Sequence, residues 1–391
     1  MIAVILFWLS IFAIFHSYVL YPALLIILAQ KKKQKSDIFH HDDSLPGVSI
    51  LMSLFNEEEV IREKIESIFS NNYPEDKLEV IVGSDNSTDK TNEIMEKLSA
   101  GKYKDRLIFK NFTSRQGKGN IINQLYDIVK GDVLILSDAN VIFDVNTIFE
   151  LARYFKDKNC GLVDTNMINK GLKKEGISLQ EKAYISREVL IKNREGLIWG
   201  TMMGPFGGCY AIRKELYCHV PPNYLVDDFY INMKILEKNY SCINNLKARV
   251  YEDVSNDPGI EFRRKIRIAT GNFQNLETFK ALLWPPYKGR AFAFLSHKVL
   301  RWFGPFFLLI ILFTLTYLAF SNFLYLLLLV LYLGSLLWPL FDIFLRKIHL
   351  HIIVLRFVSH FYSMNLALLI GFYKYLKGVK SNVWEPTKRN Q

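Results

Sequence analysis

The chain has 391 residues, 50% of them hydrophobic and 14% aromatic, with a formal charge of +11 at pH 7. That length gives room for one large α/β domain plus membrane segments, and the apolar residues crowd the two ends, which argues against a uniformly soluble globule. The positive charge admits nucleic acid, anionic lipid or an anionic substrate; base-stacking aromatic residues are not interleaved with it outside the apolar segments, so nucleic acid is set aside.

Met1 to Gln30 contains no Asp, Glu, Lys or Arg. No basic segment precedes its apolar stretch and no small-residue cleavage site follows it, so residues 1–30 are expected to be a retained transmembrane anchor rather than a cleaved signal peptide. Residues 31–46 read as a polar linker. His40, His41, Asp42 and Asp43 in it have no partner cluster that would make a metal site. The four cysteines, Cys160, Cys209, Cys218 and Cys242, form no CxxC pair and read as reduced thiols.

From Val48 short apolar runs alternate with helical stretches. Val48 to Leu54 and Leu78 to Gly83 predict buried parallel strands with a helix over 58–70 between them. Helices follow over 88–98 and 117–129, with a strand over 133–137. The alternation predicts a doubly wound α/β sheet within a domain spanning 47–284. Ligands of such sheets sit beyond the carboxyl ends of the strands, so the residues directly after each strand are the candidates for chemistry.

Residues 285–301 mix basic side chains with Phe292, Phe294, Leu295, Val299 and Leu300, the composition of an interfacial amphipathic helix. Trp302 to Phe341 is an uncharged run of 40 residues. As helix it would be about 60 Å long, twice the ~30 Å hydrocarbon core, so two antiparallel spans with a turn near Ser321 and Asn322 are expected. Ile352 to Tyr373 carries Arg356 and His360 between basic flanks; a true span and a surface-lying or re-entrant helix both remain open. The C-terminal membrane region is thus 302–374, followed by a basic tail over 375–391. Clustered positive charge abuts the apolar segments at Lys31, Lys32, Lys33 and Lys35, at Arg346 and Lys347, and at Lys374, Lys377 and Lys380. By the positive-inside rule this describes a multi-pass protein of the cell membrane with its middle domain in the cytosol.

Five motifs follow one another along the middle domain. They are Phe55-Asn56-Glu57-Glu58 after the first strand, Ser84 to Asp89 after the second, Gly117-Lys118 through Asn120, Ser137-Asp138-Ala139-Asn140, and Val226-Asp227-Asp228-Phe229 beyond the glycine-rich Gly204 to Gly208. In these, over about Val48 to Leu276, the chain resembles the family 2 glycosyltransferases, the inverting group that includes cellulose, chitin, hyaluronan and poly-N-acetylglucosamine synthases. Members show a YNE-like turn, a DDGSTD-like loop, a GKxxALN-like segment, a DxD and an ED or DD pair in this order. The resemblance implies a GT-A type nucleotide-sugar-binding domain flanked by transmembrane helices. It implies transfer of a hexosyl group from a nucleotide-sugar donor, of the UDP-sugar class, to an acceptor hydroxyl in polysaccharide biosynthesis. Partners are then the donor, a glycan or lipid acceptor and the bilayer. Single transfer to a membrane lipid, a glycolipid or polyprenyl phosphate, is the alternative enzyme reading. A non-catalytic membrane subunit retaining the fold is a third, against which Asp85, Asp138 and Asp228 all speak.

Each role has a chemical reason. A nucleoside diphosphate gains charge as it leaves, and a divalent cation held by carboxylates stabilises that charge. Asp138 is the expected metal ligand for Mg2+ or Mn2+, with Asn140 in support through an uncharged amide oxygen; a turn or cap role is the alternative for Asp138. The acceptor hydroxyl must lose its proton to a carboxylate. The resemblance points to Asp228, with Asp227 as the second choice or as the neighbour that raises its pKa, and a helix-capping pair is the alternative. By resemblance Asp85 accepts from uracil or ribose, Asn56 and Glu57 line the same pocket, and Lys118 contacts base or phosphate. Read alone, Glu57 to Glu59 is a solvated helix start and Ser87-Thr88-Asp89 a cap.

Arg263, Arg264, Lys265 and Arg267 form a basic cluster suited to a diphosphate. Processive members carry QxxRW there; Arg264 to Ile268 (RKIRI) keeps the arginine at Arg267 and lacks both Gln and Trp, which counts against processive elongation. Trp199-Gly200 through Gly207-Gly208 forms the acceptor side by resemblance, its glycines allowing the backbone close to a sugar. Trp384 to Arg389 is similar to a tail motif that follows the last membrane segment of some synthases.

Overall fold

The structure, a computed structural model, describes residues 1–33, 37–170, 178–253, 258–347 and 352–382. Lys35 and Trp384 to Arg389 lie outside the described residues. The chain divides into two compact units: a sheet unit built mainly from Leu28–Lys173 and Lys182–Ser255, with the residues from Val379 on, and a helical unit built mainly from Met1–Ile27 and Asn256–Gly378.

The sheet unit contains β1 (Val48–Leu54), β2 (Leu78–Asp85), β3 (Leu107–Phe112), β4 (Val133–Ser137), β5 (Ile142–Phe143), β6 (Cys160–Lys170), β7 (Cys209–Arg213) and β8 (Ser241–Asp253). They form one sheet in the order β3-β2-β1-β4-β7-β6-β8-β5. β3, β2, β1 and β4 are mutually parallel, and the helices Ile61–Phe69, Thr91–Ala100 and Lys118–Tyr126 fall between these strands in sequence. Covered on both faces, these strands are apolar throughout: Ile50, Leu51 and Met52 of β1 are all buried. The doubly wound pattern stops at β7, which runs antiparallel to both β4 and β6; β8 is parallel to β6 across two register shifts, and β5 closes the edge antiparallel to β8. The sheet is therefore mixed. Within the segment read as a linker, the His41 ring stacks on Phe149 at 3.8 Å, and Tyr73 donates to the Pro46 carbonyl at 2.6 Å. Cys160, Cys209 and Cys242 are buried free thiols, and Cys218 is half-buried.

In the helical unit three helices among the described residues, Ile2–Ala29, Phe323–Leu345 and Val354–Leu376, are long and apolar enough to cross a membrane. Gly289–Trp302 and Gly304–Ala319, bent by 60° where they meet, make a fourth when taken as one span. The expected turn near Ser321 and Asn322 separates Gly304–Ala319 from Phe323–Lys347, and the Tyr332 hydroxyl donates to the Leu308 carbonyl at 3.0 Å between them. The segment left open as span or re-entrant helix is an unbroken helix, Ile353–Leu376. It packs on Pro258–Phe279, with Phe273 and Phe372 edge to face at 5.0 Å.

Close approach governs one glycine that positions the site. A Cβ built on Gly83 would lie 2.5 Å from Ile121 Cγ2 and 3.1 Å from Phe112, so the helix beginning at Lys118 rests on β2 two residues before Asp85. Gly83→Ala overpacks this contact and is expected to cost about 1–3 kcal/mol, measured as a lowered thermal midpoint of the purified full chain.

Candidate active site

The loops that follow β1 and β2 are joined to each other by hydrogen bonds, and Lys118, after β3, reaches the turn that follows β4. After β1 the chain turns through Asn56, whose φ of 55° lies in the left-handed region that Asn tolerates. Its side-chain oxygen accepts from the Thr88 N–H at 2.8 Å, and its N–H donates to Ser87 Oγ at 3.2 Å. The Glu57 N–H donates to Thr91 Oγ1 at 2.8 Å. Asp89 in turn accepts from Glu58 N at 3.1 Å and Thr91 N at 2.9 Å. The two motifs expected to line one pocket thus brace each other.

Asp85 ends β2 and is buried. Its two oxygens accept from the N–H groups of Gln116 at 2.6 Å and Gly117 at 2.9 Å, and Arg115 lies 3.7 Å away. The Arg115 guanidinium sits 3.3 Å above the Phe55 ring. Burial pulls the Arg115 pKa down against the opposing field of Asp85. Gly117 needs its φ of 86°, and the Asn382 amide fills the space a side chain would take there.

Lys118 begins the next helix and joins the donor loops to the carboxylates. Its ammonium donates to Asp138 Oδ1 at 2.6 Å and to the Gly207 carbonyl at 3.4 Å. Burial alone would lower its pKa; Asp138, then Asp227 and Asp228, reverse this and raise it. Asp138 in turn donates its N–H to the Gly208 carbonyl at 2.9 Å. The Asn140 amide donates to Glu252 of β8 at 2.9 Å.

Asp227 and Asp228 open the helix Asp227–Glu237, inside its first turn and not as a side-chain cap. Asp228 Oδ1 accepts from the adjacent Phe229 N–H at 2.7 Å. Its carboxylate is half-buried, and a Cβ on Gly207 would lie 2.5 Å from Oδ2. Burial, followed by the charge of Asp227, pushes Asp228 up to about 6; the Phe229 N–H and Lys118 pull the other way.

The glycine-rich loop is held from beneath by side chains that sequence reading did not single out. Asp164 accepts from Phe206 N at 2.9 Å, Glu195 from Met203 N at 3.0 Å, and Asn232 from Gly204 N at 3.0 Å; Lys192 pairs with Asp164 at 2.5 Å. Lys64 is also buried, donating to Ser137 Oγ at 2.7 Å and the Val141 carbonyl at 2.5 Å. A signal for it exists: it sits at the i+3 place of the apolar stripe Ile61, Ile65, Ile68.

Asn56, Glu57, Asp85, Lys118, Asp138, Asn140, Gly207, Gly208, Asp227 and Asp228 all belong to the sheet unit. Arg264, Lys265 and Arg267 belong to the helical unit, where Arg264 and Lys265 reach Glu261 at 3.4 Å and 3.2 Å. Among the described residues no three His, Cys, Asp or Glu side chains gather to hold a metal by themselves. The donor set nonetheless suits a hard cation: Lys118 already places a positive charge on Asp138 within the fields of Asp227 and Asp228, and diphosphate oxygens would complete the coordination of a divalent ion.

Comparison with known proteins bears on the same residues. The chain matches the model for glycosyl transferase family 2 over residues 49–220 and that for glycosyl transferase family group 2 over residues 187–341. It is 26% identical over 194 residues to the beta-monoglucosyldiacylglycerol synthase of Nostoc sp., covering 49% of this chain and 41% of that protein. To the poly-beta-1,6-N-acetyl-D-glucosamine synthase of Staphylococcus aureus it is 29% identical over 125 residues, 32% of this chain and 29% of that one. The chain thus spans less than half the length of these relatives. The mannosyltransferase PcManGT from Pyrobaculum calidifontis, solved in complex with GDP-Man and Mn2+, matches with a TM-score of 0.71 at 20% identity, covering 95% of this chain and 99% of that one. That likeness gives the fold, a GT-A domain. The two family models overlap and together run through all five motifs into the helices beyond them, and the chain belongs to glycosyltransferase family 2.

Proposed function

We propose that this chain is a membrane-anchored inverting hexosyltransferase that passes a sugar from a nucleotide-sugar, of the UDP class, to the hydroxyl of a growing glycan. Mg2+ or Mn2+ serves as cofactor, and the sheet unit faces the cytosol. The observation that carries the reading is the Asp228 carboxylate, raised to about 6 and set beside Gly207, with Lys118 and Asp138 bonded to the same loop. The names of the relatives, a glycolipid synthase and a polysaccharide synthase, support the two acceptor classes; the nucleotide-sugar and Mn2+ in PcManGT support the donor class and the cofactor.

In the reaction the acceptor oxygen bonds to the anomeric carbon from the face opposite the diphosphate, while the bond from that carbon to the diphosphate oxygen breaks. Asp228 takes the hydroxyl proton; a base of pKa about 6 is ionised at neutral pH and more basic than an ordinary aspartate. The Lys118 ammonium faces the charge that develops on the departing diphosphate. Asp138, with Asn140 in support, would hold a divalent cation, which when bound would supply Lewis-acid stabilisation of that charge. Asp85, Asn56 and Glu57 serve the nucleoside end, and Gly207 with Gly208 admits the acceptor. Single transfer to a membrane lipid is the second reading, favoured by Arg264 to Ile268, which lacks the Gln and Trp of processive members.

Membranes carrying the full chain, incubated with radiolabelled UDP- and GDP-sugars and Mn2+ or Mg2+, are expected to put label into high-molecular-weight material. Label confined to the lipid extract selects the second reading, and no label from any donor overturns both. Asp228→Asn removes the base and is expected to lower kcat by about 10²–10⁴-fold, and Asp138→Ala abolishes the response to added metal.

The rate should fall about tenfold per pH unit below pH ~6, as Asp228 takes up its proton. Asp227→Asn deletes a charge that raises the Asp228 pKa, so this acid limb is expected to move to lower pH; a limb that stays in place assigns the base elsewhere. Gly207→Ala drives a methyl into the Asp228 carboxylate, with an expected loss of up to ~10²-fold in kcat from displacement of the base.

A further inference from the structure

We propose that Lys64 is a positioning residue for the metal-binding turn, fixing Asp138 from beneath through Ser137 and Val141; this rests on the function proposed above. The ammonium ties together the two ends of the turn, with Ser137 on one side of Asp138 and Val141 on the other. The Phe143 ring lies under it at 3.7 Å. Those two hydrogen bonds to neutral oxygens and the ring account for its polar contacts among the described residues.

The polarity of these bonds carries the argument. Burial pulls the Lys64 pKa down to about 7 against the fields of Cys209 and Asp138; in its protonated form Lys64 only donates, so Ser137 Oγ then accepts from it and turns its single proton away. The Gly208 carbonyl lies 3.2 Å from that hydroxyl and also accepts the Asp138 N–H at 2.9 Å. Protonated Lys64 therefore leaves the Ser137 proton to the carbonyls of Gly208 at 3.2 Å and Asp138 at 3.3 Å, the acceptors that join the Asp138 turn to the loop carrying Gly207 and Gly208.

A buried charge bonded only to neutral oxygens is an expensive way to fill space. An apolar side chain of similar volume does so without desolvating an ammonium, and this helix otherwise turns Ile61, Ile65 and Ile68 inward. The cost is intelligible when the turn has to hold its place while cations and a diphosphate come and go above it.

The test uses the purified full chain and the variants Lys64→Met, Ser137→Ala and the double variant. Binding of Mn2+ in the presence of UDP is followed by the EPR signal of free Mn2+, alongside kcat and the donor KM. Lys64→Met is expected to weaken Mn2+ about 10–100-fold, as outer-shell changes do, and to lower kcat with little change in KM. Ser137→Ala is expected to shift both in the same direction by less. The double variant should be no worse than Lys64→Met alone, because both changes cut one linkage.

Unchanged Mn2+ affinity and kcat in Lys64→Met, or losses that multiply in the double variant, overturn the proposal. Should Lys64→Met fail to fold, Ser137→Ala decides alone, and wild-type Mn2+ affinity in it overturns the proposal. Failure of the unmodified chain both to bind Mn2+ and to transfer sugar would overturn the functional reading as well, a result distinct from failure of the positioning role only.

Discussion

Carboxylates that must act together repel one another, and the sheet unit is organised around containing that repulsion. Asp227 and Asp138 both push the Asp228 pKa upward, and all three carboxylates act on Lys118. Two unit charges 4 Å apart interact by about 4 kcal/mol at an effective dielectric of ~20, comparable to a large share of a domain's net stability. Lys118, 2.6 Å from Asp138, offsets much of it. Asp228 gains further relief from the Phe229 N–H and from the amino end of its own helix. The relief is incomplete: burial first, and then the remaining repulsion from Asp227, hold the Asp228 carboxylate near 6.

The arrangement works only if the loops arrive in register, and buried polar side chains secure that. Asp164, Glu195 and Asn232 each take one backbone N–H of residues 203–206, so the backbone of the glycine-rich loop is fixed at three points. Asp164 and Lys192 are both buried, and their ion pair together with the Asn244 amide offsets part of the desolvation each would suffer alone. On the donor side Asp85 plays the same part, spending both oxygens on the N–H groups of residues 116 and 117. The outcome is directional: the carbonyls of Gly207 and Gly208 point at Lys118 and at the Asp138 N–H, locking the acceptor loop to the donor loops.

Legibility in the sequence followed burial geometry. β1, β2 and β4 are covered on both faces, read as unbroken apolar runs, and were placed to within two residues at each end. β6 and β8 were not, because each mixes buried and exposed positions and carries Asp, Asn, Lys or Arg within the strand, as at Asp164 and Asn166 or Lys247 and Arg249. The carboxylates were found from order and spacing, since each follows a strand or opens a helix. Their supports were not, because Asp164, Lys192 and Glu195 come from a strand and a helix remote in sequence from the loop they hold. Lys64 was visible in principle as a charge inside an apolar stripe, but a lysine among Glu63 and Glu66 reads as a solvated face until its neighbours are known. Lys118, expected on base or phosphate, also bonds to Asp138; no spacing rule predicts which carboxylate of its own chain a lysine will reach.

In the proposed mechanism Asp228 would take the proton of a glycan hydroxyl and of a lipid headgroup hydroxyl alike, so the carboxylates would not discriminate between them. Selectivity would then reside in what surrounds the hydroxyl, and Gly207, which lies against the Asp228 carboxylate, belongs to the loop from Trp199 to Gly208. That loop combines two half-buried aromatic residues, Trp199 and Phe206, with four glycines. Lys192 lies 4.3 Å from the Phe206 ring, so the ring is fixed by the same buried ion pair that holds the Phe206 N–H. On the proposed function, an aromatic face in this loop would favour the apolar face of a sugar ring as the group presented to it. On that reading acceptor choice would be coupled, through the contacts of Phe206 with Lys192 and Asp164, to the interior of the fold.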